Sequence, residues 1–365
     1  MAACIGVMAG GTGGHVFPAL AVAEALREQG AQVFWIGTRR GLESRLVPEH
    51  GFEMEWMRIE GLRGKGVLAI LSGPWRLLRA LAQARAILRR RRPGVVLGMG
   101  GFVSGPGALA ARALGIPLLI HEQNSIPGLT NQWLARIATR VFEAFPGSFP
   151  HARRALATGN PVRRTIADLP PPGARFAGRS APPRLLVLGG SLGAKALNET
   201  LPQALARLPA RLCPQVRHQA GERTLDLARA AYAQAGVQAE VIPFISDMAQ
   251  AYAWADLVVC RAGALTIAEL AAAGVGAILV PYPHAVDDHQ VGNAAFLADS
   301  GGARLIIQRD LTPSLLADLL AELLGDRAQL LAMAEAARAR ATPDAVDRIA
   351  AACLELAGQL PVASG

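Results

Sequence analysis

Acidic residues are missing from Gly61 through His121, where Arg63, Lys65, Arg76, Arg79, Arg85, Arg89, Arg90, Arg91, Arg92 and Arg112 supply all the charge. The net charge of +9 sits there, and the rest of the chain is close to neutral. Cysteine is sparse too. Cys4, Cys213, Cys260 and Cys353 lie far apart and form no C-x-x-C pair, and three of them fall in apolar runs typical of buried thiols. That excludes a disulfide scaffold and fits a reducing cytoplasm. No basic leader precedes the first apolar run, which glycines cut short, so a secretory signal is not expected. A membrane span is not expected either. The uncharged run from Pro93 to Ala111 holds six glycines and two prolines and reads as strand, turn and helix. Aromatics are only 5% of the chain, and no stacking platform or binding motif accompanies the basic stretch, which argues against nucleic acid.

What is present is a globular composition. The 365 residues are 52% hydrophobic and 18% charged, which suits two domains better than one. Ile5 to Val7 form an apolar run that breaks into Ala9-Gly10-Gly11-Thr12-Gly13-Gly14-His15, and a helical pattern follows from Val16 through Leu26. Arg184 to Leu188 repeat the theme, running into Gly189-Gly190-Ser191-Leu192-Gly193 and a helix from Ala194 to about Leu208. A glycine turn lets the backbone approach a ligand closely, and the free amides of a new helix favour an anion such as a diphosphate. Two such openings imply two doubly wound α/β halves.

Further apolar runs fit parallel strands at Val33 to Ile36, Val95 to Met99, Pro117 to Ile120 and Val141 to Phe145. In the second half they recur at Val241 to Phe244, Leu257 to Cys260, Ala277 to Val280 and Leu305 to Ile307. Residues 1–160 are expected to form the first domain and 161–183, rich in proline, a linker. Residues 184–340 are expected to form the second domain and 341–365 a helix returning to the first. Ligands of such sheets lie at the carboxyl ends of the strands, so two facing halves would make a cleft.

Several known motifs fail. The dinucleotide fingerprint lacks its third glycine at Val16, and no acid ends the second strand at Ile36-Gly37-Thr38 to hold a ribose. Gly64-Lys65-Gly66 lacks the hydroxyl residue of a P-loop. Pro281 to Gln290 include two histidines and two aspartates, yet match no metal-ligand spacing; a helix cap at Asp287 or Asp288, or a site for sugar hydroxyls, fits better. Neither metal nor cofactor is expected.

At Cys260 to Glu269 a strand ends in a glycine turn that starts a helix. Glu269 there is either a ribose ligand or a charge favoured by the helix dipole. His121-Glu122-Gln123-Asn124 again follows a strand, and polar groups at several strand ends point to one shared site. The helix near Trp75 interleaves leucines with Arg76, Arg79 and Arg85. It reads as an ordinary core-facing helix with a solvated basic face, or as a face for anionic lipid; the preceding Val67 to Leu71 and the missing acids favour lipid. Leu71, Trp75, Arg76, Leu78 and Arg79 would meet it.

Eight segments in register resemble the MurG family of bacterial N-acetylglucosaminyltransferases: AGGTGGHVFPALAVAEAL, GLRGKG, VLGMGGFVSGPGALAA, HEQNSIPGLTN, GNPVR, GGSLGA, AWADLVVCRAGALTIAEL and DDHQVGNA. The resemblance spans nearly the whole chain. It implies a GT-B fold and inverting transfer of N-acetylglucosamine from its UDP ester to the 4-hydroxyl of N-acetylmuramoyl-pentapeptide on undecaprenyl diphosphate. The place implied is the cytoplasmic face of the inner membrane, with the protein peripheral to it. Donor residues carried over are Thr12, Gly13, Gly14, Asn124, Arg163, Ser191, Ile245, Ala264, Leu265, Thr266, Ile267, Ala268, Glu269 and Gln290. Among them Glu269 would hold the ribose, the Ile245 backbone would meet uracil and Gln290 would read sugar hydroxyls.

The chain departs from better-known members at Leu192, where they have glutamine, and at Ala262, where they have serine. His15 is expected as the base that takes the acceptor proton, with Glu122 either the base itself or the group that orients His15. Rival readings are another GT-B protein, such as a UDP-N-acetylglucosamine 2-epimerase or a lipid glycosyltransferase, and a catalytically silent UDP-sugar-binding regulator.

Overall fold

A computed structural model describes residues 2–59, 73–179, 182–190, 193–283 and 288–358. They divide into two compact units, one of Met1–Arg163 with Pro343–Gly365, the other of Arg164–Thr342.

The first unit runs β1 (Cys4–Met8), α1 (Gly13–Glu28), β2 (Gln32–Gly37), α2 (Glu43–Glu49), β3 (Glu53–Trp56), α3 (Gly73–Arg91), β4 (Val95–Gly98), α4 (Ser104–Ala113), β5 (Leu118–Glu122), α5 (Leu129–Leu134), β6 (Arg140–Glu143) and β7 (Leu156–Ala157). Its sheet is parallel, in the order β3-β2-β1-β4-β5-β6-β7. Ile5 pairs with Val33 on one side and Val95 on the other, so strand order reverses at β1 and β4. Ligands of open α/β sheets bind beside such a reversal. The central strands read as unbroken apolar runs because helices cover both faces. Trp35 is fully buried, and its indole N–H donates to Ala9 O at 2.8 Å, fixing the chain where β1 gives way to glycine.

The second unit continues with α6 (Arg164–Ala167), α7 (Pro172–Phe176), β8 (Arg184–Leu188), α8 (Lys195–Leu205), β9 (Gln215–Gln219), α9 (Leu225–Ala235), β10 (Glu240–Ile242), α10 (Met248–Trp254), β11 (Leu257–Cys260), α11 (Ala264–Ala273), β12 (Gly276–Leu279), α12 (His289–Ala298), β13 (Ala303–Leu305), α13 (Pro313–Gly325) and α14 (Arg327–Arg338). Its parallel sheet has the order β10-β9-β8-β11-β12-β13. The last helix, α15 (Ala345–Gly358), belongs to the first unit. It packs on α1 and β4, adding Ile349, Cys353 and Leu356 to the core around Val16 and Leu20.

Two doubly wound parallel-sheet units are the α/β architecture expected of a GT-B chain. The proline-rich stretch differs from a plain linker. Proline is tolerated in a helix's first turn, and α7 starts at Pro172 and packs on α14. Buried Arg175 ties it down, donating to Pro170 O (3.0 Å), Tyr252 O (3.2 Å), Ala273 O (2.7 Å) and Gly274 O. Burial lowers that guanidinium to about 10, which still leaves it charged at neutral pH.

Candidate active site

At the carboxyl end of β1 the chain turns through Gly10 and Gly11 into α1. Thr12, exposed, holds the N-cap position with no side-chain cap bond, and its carbonyl accepts from the amides of His15 and Val16. Gly13 is half-buried and Gly14 exposed. The loop rests on a carboxylate. Fully buried Glu43, from α2, accepts from the amides of Gly11 (2.9 Å) and Thr38 (3.0 Å) and from the Thr38 hydroxyl (2.8 Å). The end of the second strand is thus met by an acid from the next helix, and the same acid reaches the first glycine loop 32 residues away.

His15 is half-buried in the first turn of α1, with Nδ1 3.1 Å from Gln123 Oε1. The Gln123 amide in turn donates to Met99 O at 2.8 Å. Gly100 is required beside this ring. Its φ is +102°, and a Cβ there would lie 2.5 Å from His15 Nδ1.

Glu122 lies elsewhere than expected. Successive side chains of a strand point to opposite faces, and Glu122 turns away from the face used by His121 and Gln123. It is 2% exposed, and both carboxylate oxygens are occupied. Oε1 accepts from the Asn124 amide (3.0 Å) and side chain (3.1 Å); Oε2 accepts from the Gly128 amide (3.2 Å) and Asn131 (2.8 Å). The expected pairing of Glu122 with His15 is therefore replaced by Gln123, and Glu122 binds the 124–131 loop together. Asn124 is held there as well, its carbonyl accepting from the Ser148 hydroxyl at 3.1 Å. His121 is completely buried, with Nε2 donating to Gly159 O at 2.9 Å. Burial, reinforced by the nearby His15, lowers its pKa to about 4, so the ring is neutral. Arg163 places its guanidinium 5.3 Å from the centre of the Phe17 ring.

In the second unit, the glycine loop after β8 closes through Gly189 N–H to Gln219 O (2.9 Å) and Gly193 N–H to Gly190 O (3.0 Å). At Gly193, φ is +78° and a Cβ would lie 1.9 Å from the Thr224 hydroxyl, so no other residue fits. Ser191 and Leu192 lie outside the described residues.

Gly263, extended at φ −64° and ψ 140°, starts α11 without a side-chain cap. First-turn amides of a helix lack partners within it, and those of Leu265 and Thr266, both half-buried, stand at this end. Ala264 is buried and Ala268 half-buried. Ile267 is turned into the core and donates its amide to Gly263 O at 3.0 Å, so neither group is left for a ligand. Glu269 is 6% exposed, and the Tyr252 hydroxyl donates to its Oε2 at 3.1 Å. Arg261 donates to the carbonyls of Val280 (3.0 Å) and Pro281 (3.3 Å), tying the ends of β11 and β12 together; its burial lowers the pKa. Ala262 O accepts from Asn293 at 3.2 Å. Gln290 Oε1 accepts from the Tyr282 amide at 2.9 Å, and no bond to its NH₂ is seen among the described residues. Ile245 is half-buried just past β10, beside exposed Phe244.

Trp75, Leu77 and Leu78 of α3 stand 72%, 47% and 59% exposed, with Arg76 and Arg79 exposed among them; Leu71 lies outside the described residues. Arg90 and Arg91 are spent on β3, at 2.5 and 2.6 Å from Glu55, and Arg91 also reaches Glu53 at 2.6 Å. Phe102, Leu129 and Trp133 are further exposed apolar residues of this unit. These three were not evident in sequence because an isolated exposed apolar residue looks like a core one.

Residues 5–143 match the glycosyltransferase family 28 N-terminal domain, and residues 184–349 match the glycosyltransferase family 28 C-terminal domain. The UDP-N-acetylglucosamine--N-acetylmuramyl-(pentapeptide) pyrophosphoryl-undecaprenol N-acetylglucosamine transferase of Marinobacter nauticus is 56% identical, over 96% of this chain and 97% of its own. The chain belongs to glycosyltransferase family 28. Within that family its fold is similar to the crystal structure of Acinetobacter baumannii MurG, with a TM-score of 0.82 and 44% identity over 97% of this chain and 99% of the other. A UDP-N-acetylglucosamine 2-epimerase shares the fold alone, at a TM-score of 0.65 and 15% identity over 96% of this chain and 95% of the other. The N-terminal family 28 domain carries His15, and the C-terminal one carries Glu269 and Gln290.

Proposed function

We propose that this family 28 chain transfers N-acetylglucosamine from UDP-N-acetylglucosamine to the 4-hydroxyl of N-acetylmuramoyl-pentapeptide on undecaprenyl diphosphate, with inversion. The observation that carries the reading is His15, hydrogen-bonded through one ring nitrogen to Gln123, with no hydrogen bond to the other among the described residues. An inverting transfer is a single displacement. The free imidazole nitrogen takes the acceptor hydroxyl proton while that oxygen attacks the anomeric carbon, and the sugar–phosphate bond breaks with its electron pair going to UDP.

The donor is assigned mainly to the second unit. Glu269 would accept the ribose hydroxyls, the Ile245 backbone would meet uracil, and the Gln290 NH₂ would meet a sugar oxygen. The helix-start amides of Leu265 and Thr266 would face the departing diphosphate charge, with Arg163 as a further cation. Ser191, Thr12, Gly13, Gly14 and Asn124 complete the donor set. Glu122 serves in this reading as the clasp of the Asn124 loop. No metal ion or cofactor is assigned a role.

Among the described residues no helix is long and apolar enough to cross a membrane. A peripheral attachment to the anionic cytoplasmic face of the inner membrane is proposed for α3, where indole and leucine surface is interleaved with arginine. The test incubates purified protein with UDP-N-acetylglucosamine and a lipid-linked muramoyl-pentapeptide analogue. UDP and a disaccharide-lipid should form together, and UDP-glucose should be a poor substitute. Hydrolysis or epimerisation of the donor without disaccharide formation would reject the assignment.

A further inference from the structure

We propose that Gln123 is a positioning residue that fixes His15 as its Nδ1–H tautomer and so reserves Nε2 for the acceptor proton. This rests on the reading of His15 as the base. A carbonyl oxygen can only accept, so the end of the Gln123 amide 2.8 Å from Met99 O is its NH₂. The other end, Oε1, then faces His15 Nδ1 at 3.1 Å. An amide oxygen bonds only a protonated ring nitrogen, which puts the proton on Nδ1 and the lone pair on Nε2.

The choice matters because an unconstrained imidazole favours the opposite tautomer, in which Nε2 carries the proton and has nothing to accept with. Gln123 is itself held at both levels: Asn160 donates to its main-chain carbonyl at 3.0 Å, and its side chain spans Met99 and His15. The two flanking polar residues do not take its place. His121 gives its ring proton to Gly159 O, and Glu122 is saturated by Asn124, Gly128 and Asn131. Gly100 completes the arrangement by leaving room for the ring.

Nitrogen NMR of the histidine-labelled full chain reads the tautomer directly, with His15→Gln used to assign the signal. The wild type should show the proton on Nδ1, and a His15 carrying it on Nε2 overturns the proposal without any variant. Gln123→Met, close in shape but without an acceptor, should shift His15 toward the Nε2–H form. It should lower kcat by about 10–100-fold, the scale of groups that orient a functional imidazole, with KM for UDP-N-acetylglucosamine within about twofold of wild type. Gln123→Glu keeps an acceptor for Nδ1–H while giving up the bond to Met99 O, and should recover the tautomer and part of kcat despite that loss, which a purely structural role would not produce. A Gln123→Met enzyme with the wild-type tautomer also overturns the proposal. A switched tautomer with unchanged kcat supports the positioning by Gln123 and removes His15 as the base.

Discussion

The two glycine loops share a sequence grammar of apolar strand, glycines and helix, yet they differ electrically. Beneath the first lies the Glu43 carboxylate, bonded to the Gly11 amide at 2.9 Å. In the second, Gly189 and Gly193 donate to the neutral carbonyls of Gln219 and Gly190. An internal carboxylate opposes phosphate charge at the first loop, and a histidine stands one step beyond it; nothing comparable is bonded to the second among the described residues. What a glycine loop can do is decided by the group under it, which its own sequence does not reveal.

The largest effect should come from breaking the proton chemistry proposed for His15 beside the first loop. His15→Ala should lower kcat by about 10²–10⁴-fold, the usual contribution of a general base, while UDP binding measured by calorimetry stays nearly intact. Near-normal turnover in that variant would remove the distinction between a proton-handling loop and a charge-handling one.

Acid should act on the two units alike, because among the described residues each buries one neutral histidine. His121 in the first and His218 in the second are both lowered by burial to about 4 from an ordinary 6.5. The unfolded chain therefore binds these protons first. Stability is full above about pH 6.5 and falls as pH drops toward 4, by up to about 3 kcal/mol for each ring. The thermal midpoint followed against pH checks this. His218→Gln, which keeps a polar group between Tyr232 and Asn198, should make the slope shallower; an unchanged slope would mean that His218 does not titrate on unfolding.

Glu43→Gln tests the electrical difference itself. The new NH₂ would face donors at Thr38 or Gly11, costing about 1–3 kcal/mol in a buried site. Urea unfolding should report that loss, and the Kd for UDP should hold if donor binding belongs to the second unit. A weakened UDP affinity of the same size would move the donor toward the first loop.

How much of this was legible in the sequence depends on whether the burial was apolar. β1, β8 and β11 stand out because every buried side chain in them is apolar. By contrast, β9 reads Gln-Val-Arg-His-Gln and looks like a loop, although His218 is buried with both ring nitrogens bonded, to Tyr232 and Asn198 at 3.0 Å each. β3 and β7 lie at sheet edges, where polar residues are tolerated. The glycine loops, His15 and the helix start at Gly263 were visible as local patterns. Glu43 and Gln123 were not, since the loop residues that matter to the site, Gly11 and His15, lie 32 and 108 residues from them. Strand alternation was the usable signal for the latter: it sets Gln123 with His121 and against Glu122.

The smallest predicted effect concerns Tyr252, whose hydroxyl donates to Glu269 Oε2 at 3.1 Å in the second unit. If Glu269 takes the ribose hydroxyls as proposed, its carboxylate needs a fixed plane, and the phenol holds one of its oxygens. Tyr252→Phe leaves the ring packing in place and removes the hydroxyl that donates to Glu269. The loss should be about 1 kcal/mol, or roughly a fivefold rise in KM for UDP-N-acetylglucosamine, because a single side-chain hydrogen bond nets that much. Saturating donor should restore kcat, since the proton transfer proposed for His15 is untouched. An equal fall in kcat at saturating donor would mean that Glu269 shapes the transition state as well, and the division of labour proposed for the two units would have to be redrawn.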